Sequence, residues 1–184
     1  VATPIMRWLQ TVDGPTRQFN QTVVVQAPTG ATPADVIVVL QTLLDRHGML
    51  RASADGSSLH VPGPGAVDAQ GCVHVVEELS EDAVVSARSR LDPAAGVMVN
   101  ALWSSSTGQL ALIVHHLAVD AVSWRILLED LNIAWAQHHN SQPITLPITG
   151  TSFATWASLL AEHAHHPAVL DHADDDVAEG AVVD

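Results

Sequence analysis

The sequence predicts an α/β fold in which a mixed sheet is flanked by helices. Segments with a helical spacing of apolar residues alternate along the chain with short apolar and β-branched runs that are typical of strands. The chain has 184 residues, of which 47% are hydrophobic. It is therefore long enough to form one domain with a substantial core. No internal repeat is visible, so a solenoid or a propeller is not expected.

The first quarter of the chain predicts a short helix, a strand and a second helix. The first helix begins at Thr3-Pro4, because proline is favoured in a first helical turn, and ends near Asp13-Gly14-Pro15. Phe19 to Ala27 predicts a strand, since its centre is rich in valine. The second helix begins at Thr32-Pro33 and ends before Gly48. The predicted apolar faces are Ile5, Trp8 and Leu9 in the first helix, and Val36, Val39, Leu40, Leu43 and Leu44 in the second.

The remaining elements follow from turn residues, caps and apolar runs. Two apolar runs joined by Ser-Ser-Thr-Gly form the clearest antiparallel pair. The predicted strands are a hairpin of Met49 to Ala52 with Ser58 to Pro62, a strand from Cys72 to Glu77, and the pair Val97 to Ser104 and Gln109 to His116. The predicted helices run from Ser80 to about Arg90 and from about Val122 to His139, the second with the apolar residues Val122, Ile126, Leu127, Leu131, Ala134 and Trp135. A last helix is capped by Thr151-Ser152 and carries Phe153, Trp156, Leu159 and Leu160.

Residues 165–184 predict a loosely ordered tail, because periodicity gives way there to histidines, an acidic run and small residues. Residues 1–164 then form the folded unit.

Composition excludes several classes of function. The chain has 20 acidic residues, 7 arginines and no lysine, giving a formal net charge of −13. Such a chain lacks a basic surface for nucleic acid. It also lacks an apolar run long enough for a membrane helix and a basic-apolar N-terminal signal. Cys72 is the only cysteine, which excludes an internal disulfide and favours a reducing compartment. We expect a cytoplasmic protein and, because the chain does not begin with Met, a piece of a longer one.

The most informative stretch runs from Val114 to Leu131, where an apolar strand pattern ends on two histidines and a helix pattern follows. Adjacent strand residues point to opposite faces, so His115 and His116 are expected to have different roles. One ring faces the core and braces the loop. The other lines a cleft, where a neutral imidazole can act as a general base at cytoplasmic pH.

The residues after the histidines leave alternatives open. Asp120 either caps the following helix or pairs with an arginine from another segment. Ser123 either caps the same helix or donates a hydrogen bond into the cleft, and Trp124 adds an apolar wall. Two histidines diverging from one strand do not form a three-ligand zinc site, so no metal is expected. A serine nucleophile is not indicated either, because no Gly-x-Ser-x-Gly turn is present.

The stretch His115-His116-Leu117-Ala118-Val119-Asp120 resembles the HHxxxDG motif of the condensation-domain superfamily of nonribosomal peptide synthetases. The continuation, residues 122–127, is similar to the epimerization branch of that superfamily. Four further stretches resemble family motifs in family order. They are Thr3-Pro4-Ile5-Met6-Arg7-Trp8, Phe19-Asn20-Gln21-Thr22, Arg46-His47-Gly48-Met49-Leu50-Arg51, and Thr151-Ser152-Phe153 with Trp156-Ala157.

The resemblance implies a chloramphenicol-acetyltransferase-like fold of two lobes that form a V, of which this chain has the size of the first. It implies inversion of the Cα of an aminoacyl or peptidyl thioester carried on the phosphopantetheine of a carrier protein. The family's second acid/base is a Glu on the C-terminal lobe, so this lobe alone is expected to be incomplete and inactive as an epimerase. A C-terminal lobe or a second copy of the chain would complete the V. The chain itself is expected to bind no cofactor.

The resemblance also implies residue roles. His116, the second histidine of the motif, would be the catalytic acid/base, and His115 would support it. Asp120 would pair with Arg51 and hold the catalytic loop. Ala121 stands where the family carries glycine, so its methyl group would narrow the pantetheine tunnel, which Ser123 and Trp124 would also line. Two alternatives are a condensation-type acyltransferase that forms an amide or ester, and a non-catalytic module that docks a carrier protein.

Overall fold

The computed structural model describes residues 3–55, 58–148, 150–167 and 169–170. In these residues, helices and short strands alternate along the chain. The strands are β1 (Asn20–Gln26), β2 (Ser53–Asp55), β3 (Ser58–His60), β4 (Val73–Val76), β5 (Val99–Ser104) and β6 (Gln109–His115). The helices are α1 (Pro4–Thr11), α2 (Pro33–Arg46), α3 (Ala69–Cys72), α4 (Glu81–Ser89), α5 (Ala121–His139) and α6 (Phe153–His163).

The central sheet has four strands in the order β1-β6-β5-β4. β6 pairs antiparallel with both β1 and β5, whereas β4 pairs parallel with β5. The register of the first pair places Asn20 opposite His115. β2 and β3 form a separate antiparallel hairpin. The predicted mixed sheet flanked by helices is therefore confirmed.

Helices cover both faces of the central sheet. Alternate residues of β6 point to opposite faces, so Leu112 and Val114 pack with α2 and α5, while Ala111 and Ile113 pack with α4. The larger cluster, between the sheet and the pair α2 and α5, contains most of the buried apolar side chains of the described residues. The end of β6 is thus held between two packed layers.

The second helix is the element that the sequence predicted best. Thr32 and Asp35 form a capping box at the start of α2, with each side chain accepting a hydrogen bond from the other residue's backbone N–H. All five residues of its predicted apolar face are buried. Gly48 follows the end of α2, and a Cβ there would lie 2.9 Å from Val61 Cγ1. Close approach of these two segments, rather than an unusual turn, therefore requires glycine at this position.

Several other predictions about elements need correction. Residues Gly48–Arg51 form a 3₁₀ turn, so the predicted hairpin begins only at Ser53. Cys72 ends α3 instead of beginning a strand, and its thiol is buried, which raises its pKa. The predicted apolar faces of three helices were partly wrong, because α1, the first turns of α5, and α6 lie at the periphery of the core. The exposed members are Ile5, Trp8, Val122, Ile126, Trp156 and Leu159.

Two further predictions concern a membrane-spanning helix and the C-terminal tail. None of the helices described is long and apolar enough to cross a membrane. The predicted tail lies mostly outside the described residues, because 171–184 are not among them.

Candidate functional site

The two adjacent histidines at the end of β6 point in different directions. His115 is the last residue of the strand and is fully buried on the side of α4. His116 is the first residue beyond the strand and remains half-buried. Its backbone N–H donates to the carbonyl of Phe19 at 2.8 Å, which continues the pairing with β1 by one residue. The predicted difference between the two imidazoles is therefore confirmed.

His115 braces the loop that follows it. Its Nε2–H donates to the carbonyl oxygen of Thr16 at 3.0 Å, and its Nδ1 accepts from the backbone N–H of Leu117 at 3.2 Å. These two bonds require a neutral ring with the proton on Nε2. Burial lowers the pKa of His115 below its ordinary value of 6.5, and the hydrogen bond to Thr16 opposes this only in part. Both ring nitrogens of His115 are thus engaged in bonds that hold the loop.

The lowered pKa of His115 makes the stability of the fold depend on pH. Below about pH 6.5 the unfolded chain binds a proton at this residue that the folded chain does not bind, so stability falls as the pH falls. We expect the variant His115→Gln, whose amide can still donate to Thr16, to lose less stability between pH 7.5 and pH 5.5 than the parent chain. Urea unfolding followed by tryptophan fluorescence measures this difference. An equal loss in both proteins would show that His115 does not contribute to the pH dependence.

The ring of His116 is fixed by two side chains from the neighbouring strand segment. It stacks on the ring of Phe19, with 4.7 Å between the ring centroids and 16° between the planes. Its Nε2 lies 2.9 Å from Nε2 of Gln21. The face and one edge of the imidazole are thus both in contact with residues that precede it by more than ninety positions.

The amide of Gln21 is itself oriented by a third residue. Trp124 Nε1–H donates to Gln21 Oε1 at 2.7 Å. An indole nitrogen can only donate, so the atom facing Trp124 must be the amide oxygen. The amide NH₂ of Gln21 therefore points at His116 and donates to its Nε2.

His116 lines a cavity of about 600 Å³. The wall is mainly apolar and is built from the start of α1, the loop after β6, the first turn of α5, and α6. Its largest side chains besides His116 are Ile5, Met49, Leu117, Phe153, Trp156 and Leu160. Such a cavity can hold an extended ligand chain beside the imidazole.

One polar group in this wall has no partner among the described residues. Thr3, which lines the cavity, is only 3% exposed, and its Oγ1 forms no hydrogen bond. A buried hydroxyl without a partner costs about 1–3 kcal/mol.

Asp120 caps helix α5. Its Oδ1 accepts from both the backbone N–H and the side-chain hydroxyl of Ser123, each at 2.7 Å. These two bonds lower the pKa of Asp120, so the carboxylate stays ionised at neutral pH. Of the two alternatives that the sequence left open for Asp120, the structure supports the cap. The predicted pairing of Asp120 with Arg51 was wrong.

Arg51 instead closes the C-terminal end of helix α2. It is 5% exposed and donates to the backbone carbonyls of Leu44, Asp45 and Pro62. The carbonyls of Leu44 and Asp45 belong to the last turn of α2, where helical partners are lacking. The positive guanidinium also matches the negative end of the helix dipole. The hydrogen bonds of Arg51 are thus accepted by backbone carbonyls, and Asp120 is not among these acceptors.

The cap at Asp120 makes a defined contribution to stability. We expect Asp120→Ala to lower the free energy of unfolding by about 1 kcal/mol, because the N–H of Ser123 loses its acceptor. Asp120→Asn keeps an acceptor at this position and should lose less than half of that amount. Urea denaturation at pH 7 compares the variants. Equal losses in the two variants would contradict the capping role.

The three residues predicted to line a substrate tunnel occupy different places. Ser123 lines the cavity beside His116. Ala121 is the exposed first residue of α5, and its φ is negative, so alanine fits its backbone without strain. Trp124 is buried and contacts the site through Gln21. Ala121 is not among the residues that line the cavity beside His116, and the expected narrowing of a pantetheine tunnel stays a prediction.

Sequence reasoning missed Phe19 and Gln21 as parts of the site. The sequence places both in a strand and in a stretch that resembles a family motif, but predicts no role for either in the site. The available signal was a glutamine in a valine-rich strand, because a polar side chain facing a core is expected to have a defined partner. The described residues contain no group of three His, Cys, Asp or Glu side chains that could hold a metal ion.

Sequence comparison connects the chain with peptide synthetases. No protein-family model matches it. It is 34% identical over 188 residues to one of the subunits of linear gramicidin synthase from Brevibacillus parabrevis, with 91% of this chain and 2% of that protein covered. It is 32% identical over 184 residues to surfactin synthase subunit 1 of Bacillus subtilis, covering 92% and 5%. It is also 32% identical over 180 residues to the nonribosomal peptide synthetase ungA of Aspergillus violaceofuscus, covering 92% and 2%.

Solved structures share the fold of this chain. The epimerization domain from the third module of tyrocidine synthetase B superposes with a TM-score of 0.85 at 24% identity, covering all of this chain and 45% of that domain. A condensation domain for chain release from the enacyloxin polyketide synthase gives a TM-score of 0.69 at 21% identity, covering 100% and 40%. The chain spans less than half of either structure. It therefore has the fold of one lobe of a condensation-type domain, and its sequence relatives are nonribosomal peptide synthetases.

Proposed function

We propose that this chain is the N-terminal lobe of an epimerization domain, with His116 as the acid/base that acts on a carrier-bound aminoacyl or peptidyl thioester. One observation carries the proposal. His116 lines a cavity of about 600 Å³, whereas both ring nitrogens of the adjacent His115 are engaged in bracing bonds. His116 is thus the imidazole of this pair that faces a cavity and can meet a substrate.

The reaction fits a neutral imidazole. A thioester acidifies the α-proton, because the electron pair left on Cα can delocalise onto the thioester oxygen. The Cα–H bond breaks, the substrate displaces the Gln21 amide from Nε2 of His116, the proton moves to that nitrogen, and an enolate forms. Return of a proton to the opposite face of Cα gives the inverted product.

Inversion needs a second acid that faces His116 across the substrate. Among the described residues that line the cavity, the other titratable side chain is Asp120. Its carboxylate is ionised and bound to Ser123, so it is a poor proton donor at neutral pH. We therefore assign the second acid to a C-terminal lobe, as the resemblance to epimerization domains implies. The present lobe would then remove and return a proton on one face only.

The remaining features of the cavity suit a phosphopantetheine arm. Its walls are mainly apolar and can pack along the methylene groups of the arm. The arm belongs to a carrier protein, which would be the partner of this lobe in a multidomain synthetase. Synthetase subunits as sequence relatives support this assignment.

A condensation-type acyltransferase is the second candidate. Condensation domains share this lobe fold, as the chain-release domain and a starter condensation domain do, each with a TM-score of 0.69. In that reaction His116 would assist an amine or hydroxyl that attacks the thioester. A new amide or ester would form and the Cα configuration would not change.

Deuterium exchange separates these candidates. The chain is incubated in deuterated water with a carrier protein loaded with an L-aminoacyl thioester, and the amino acid is then released and analysed by mass spectrometry and chiral chromatography. We expect deuterium at Cα with the L configuration retained, since one base acts on one face. Supplying the C-terminal lobe of an epimerization domain should add the D product.

Two other outcomes of this experiment would contradict the proposal. A new amide or ester without deuterium at Cα, when an acceptor amine or alcohol is present, would favour the condensation-type activity. Binding of the carrier protein with neither exchange nor acyl transfer would favour a docking module. Either result would overturn the proposed proton transfer at His116.

A further inference from the structure

A chain of two hydrogen bonds leads from helix α5 to the ring of His116. Trp124 donates to Gln21 at 2.7 Å, and Gln21 lies 2.9 Å from His116 Nε2. The three residues come from three separate segments: the start of α5, strand β1 and the end of β6. None of the predicted roles of the loop requires a glutamine at position 21.

The direction of both bonds is determined by chemistry. The indole N–H has no acceptor capacity, so it fixes the amide oxygen of Gln21 towards Trp124. The amide NH₂ then faces His116, and the imidazole atom that it meets must accept. In the neutral ring, Nε2 is therefore unprotonated and Nδ1 carries the proton.

We propose that Gln21 is a positioning residue that, held by Trp124, keeps His116 in the tautomer with an unprotonated Nε2. Phe19 fixes the plane of the same ring by stacking, so the Nε2 lone pair is directed at the Gln21 amide until a substrate displaces that amide. The tautomer of His115 is the opposite one, since its Nε2–H donates to Thr16. Adjacent histidines thus carry their protons on different nitrogens.

The same two bonds conflict with a proton on Nε2 of His116. A protonated ring would direct Nε2–H against the NH₂ of Gln21, and turning the amide round would break its bond with Trp124. Gln21 therefore offers no acceptor to an Nε2–H while Trp124 holds its amide oxygen. An effect on catalysis rests on the proposed function, whereas the tautomer does not.

The substitution Gln21→Glu tests the proposal with an almost unchanged shape. A carboxylate only accepts, so it can still pair with Trp124 but requires a proton on His116 Nε2. Trp124→Phe removes the indole donor and leaves the amide free to turn. Two matched controls are Gln18→Glu, which adds the same charge at an exposed position nearby, and Trp135→Phe on the same helix.

The readout is nitrogen NMR of the full chain labelled with ¹⁵N in its histidine rings, recorded at a pH where His116 is neutral. The His116 signals are assigned by their loss in His116→Gln. We expect Nδ1 to carry the proton in the parent chain, a switch to Nε2 in Gln21→Glu, a mixture in Trp124→Phe, and the parent pattern in both controls. A proton on Nε2 in the parent chain, or an unchanged tautomer in Gln21→Glu, would overturn the proposal.

The rate of deuterium exchange is measured separately from the tautomer. In Gln21→Glu, we expect the rate of deuterium exchange at saturating carrier protein to fall by about 10²-fold, while the carrier concentration at half-saturation stays the same. If the parent chain shows the expected tautomer but no exchange, only the proposed function fails. If exchange occurs and Gln21→Glu alters neither the tautomer nor the rate, only the role of Gln21 fails.

Discussion

His116→Ala is expected to lower the rate of deuterium exchange at the Cα of a carrier-bound aminoacyl thioester by about 10²–10⁴-fold. This is the usual contribution of a positioned general base. The variant loses the one imidazole that lines this cavity among the described residues, while Asp120 and Ser123 keep their mutual bonds. Mass spectrometry of the released amino acid after incubation in deuterated water measures the rate.

A matched control separates loss of the base from loss of the fold. His60→Ala removes an exposed imidazole from strand β3 and should leave exchange within about twofold of the parent rate. Carrier-protein binding and the urea midpoint are compared in all three proteins. If His116→Ala binds the carrier protein and exchanges the α-proton as fast as His60→Ala does, His116 is not the base.

Arg51→Met is expected to lower the free energy of unfolding by about 3 kcal/mol. The substitution leaves buried carbonyls at the end of α2 without their donors, and each such loss costs about 1–3 kcal/mol. Arg51→Lys keeps the positive charge, but an ammonium group lacks the planar set of donors of a guanidinium. We therefore expect it to recover only part of the lost free energy of unfolding. Arg125→Ala removes an exposed arginine of α5 and should change stability by less than about 0.5 kcal/mol.

A double-mutant cycle tests the revised environment of Arg51. Because Arg51 contacts carbonyls of α2 while Asp120 caps α5, the losses in Arg51→Met and Asp120→Ala should add within about 0.5 kcal/mol. The ion pair that the resemblance implied would instead give a strong coupling. Urea denaturation of the two single variants and the double variant decides between these two arrangements.

Most elements of the fold were predictable because their signals are local. Helix α2 combines a capping box with five apolar residues in helical register, and both features lie within about fifteen residues. The pair β5 and β6 likewise follows from two apolar runs around one short turn. In contrast, residues 49–51 have apolar content but form a 3₁₀ turn, because Arg51 must reach back to the carbonyls of α2. The conformation of such segments depends on contacts with residues that are distant in the sequence.

The candidate site was predictable in part. Strand periodicity alone separates the roles of His115 and His116. The partner of Asp120 was misassigned, because a carboxylate before a helix satisfies either a cap or an arginine, and spacing does not choose between them. Gln21 was missed for a different reason. Its contact with His116 spans 95 positions and exists only once β1 and β6 are paired in a particular register.

The position of β1 at the edge of the sheet has a consequence for the lifetime of the aligned site. β1 pairs with β6 alone among the described strands, so nothing holds its other side through a ladder of backbone hydrogen bonds. Edge strands commonly open at a lower free energy than the core of a domain. Each opening of β1 would release Phe19 and Gln21 together from the ring of His116. Hydrogen exchange of the β1 amides that bond to β6 therefore measures the free energy at which the imidazole loses both contacts.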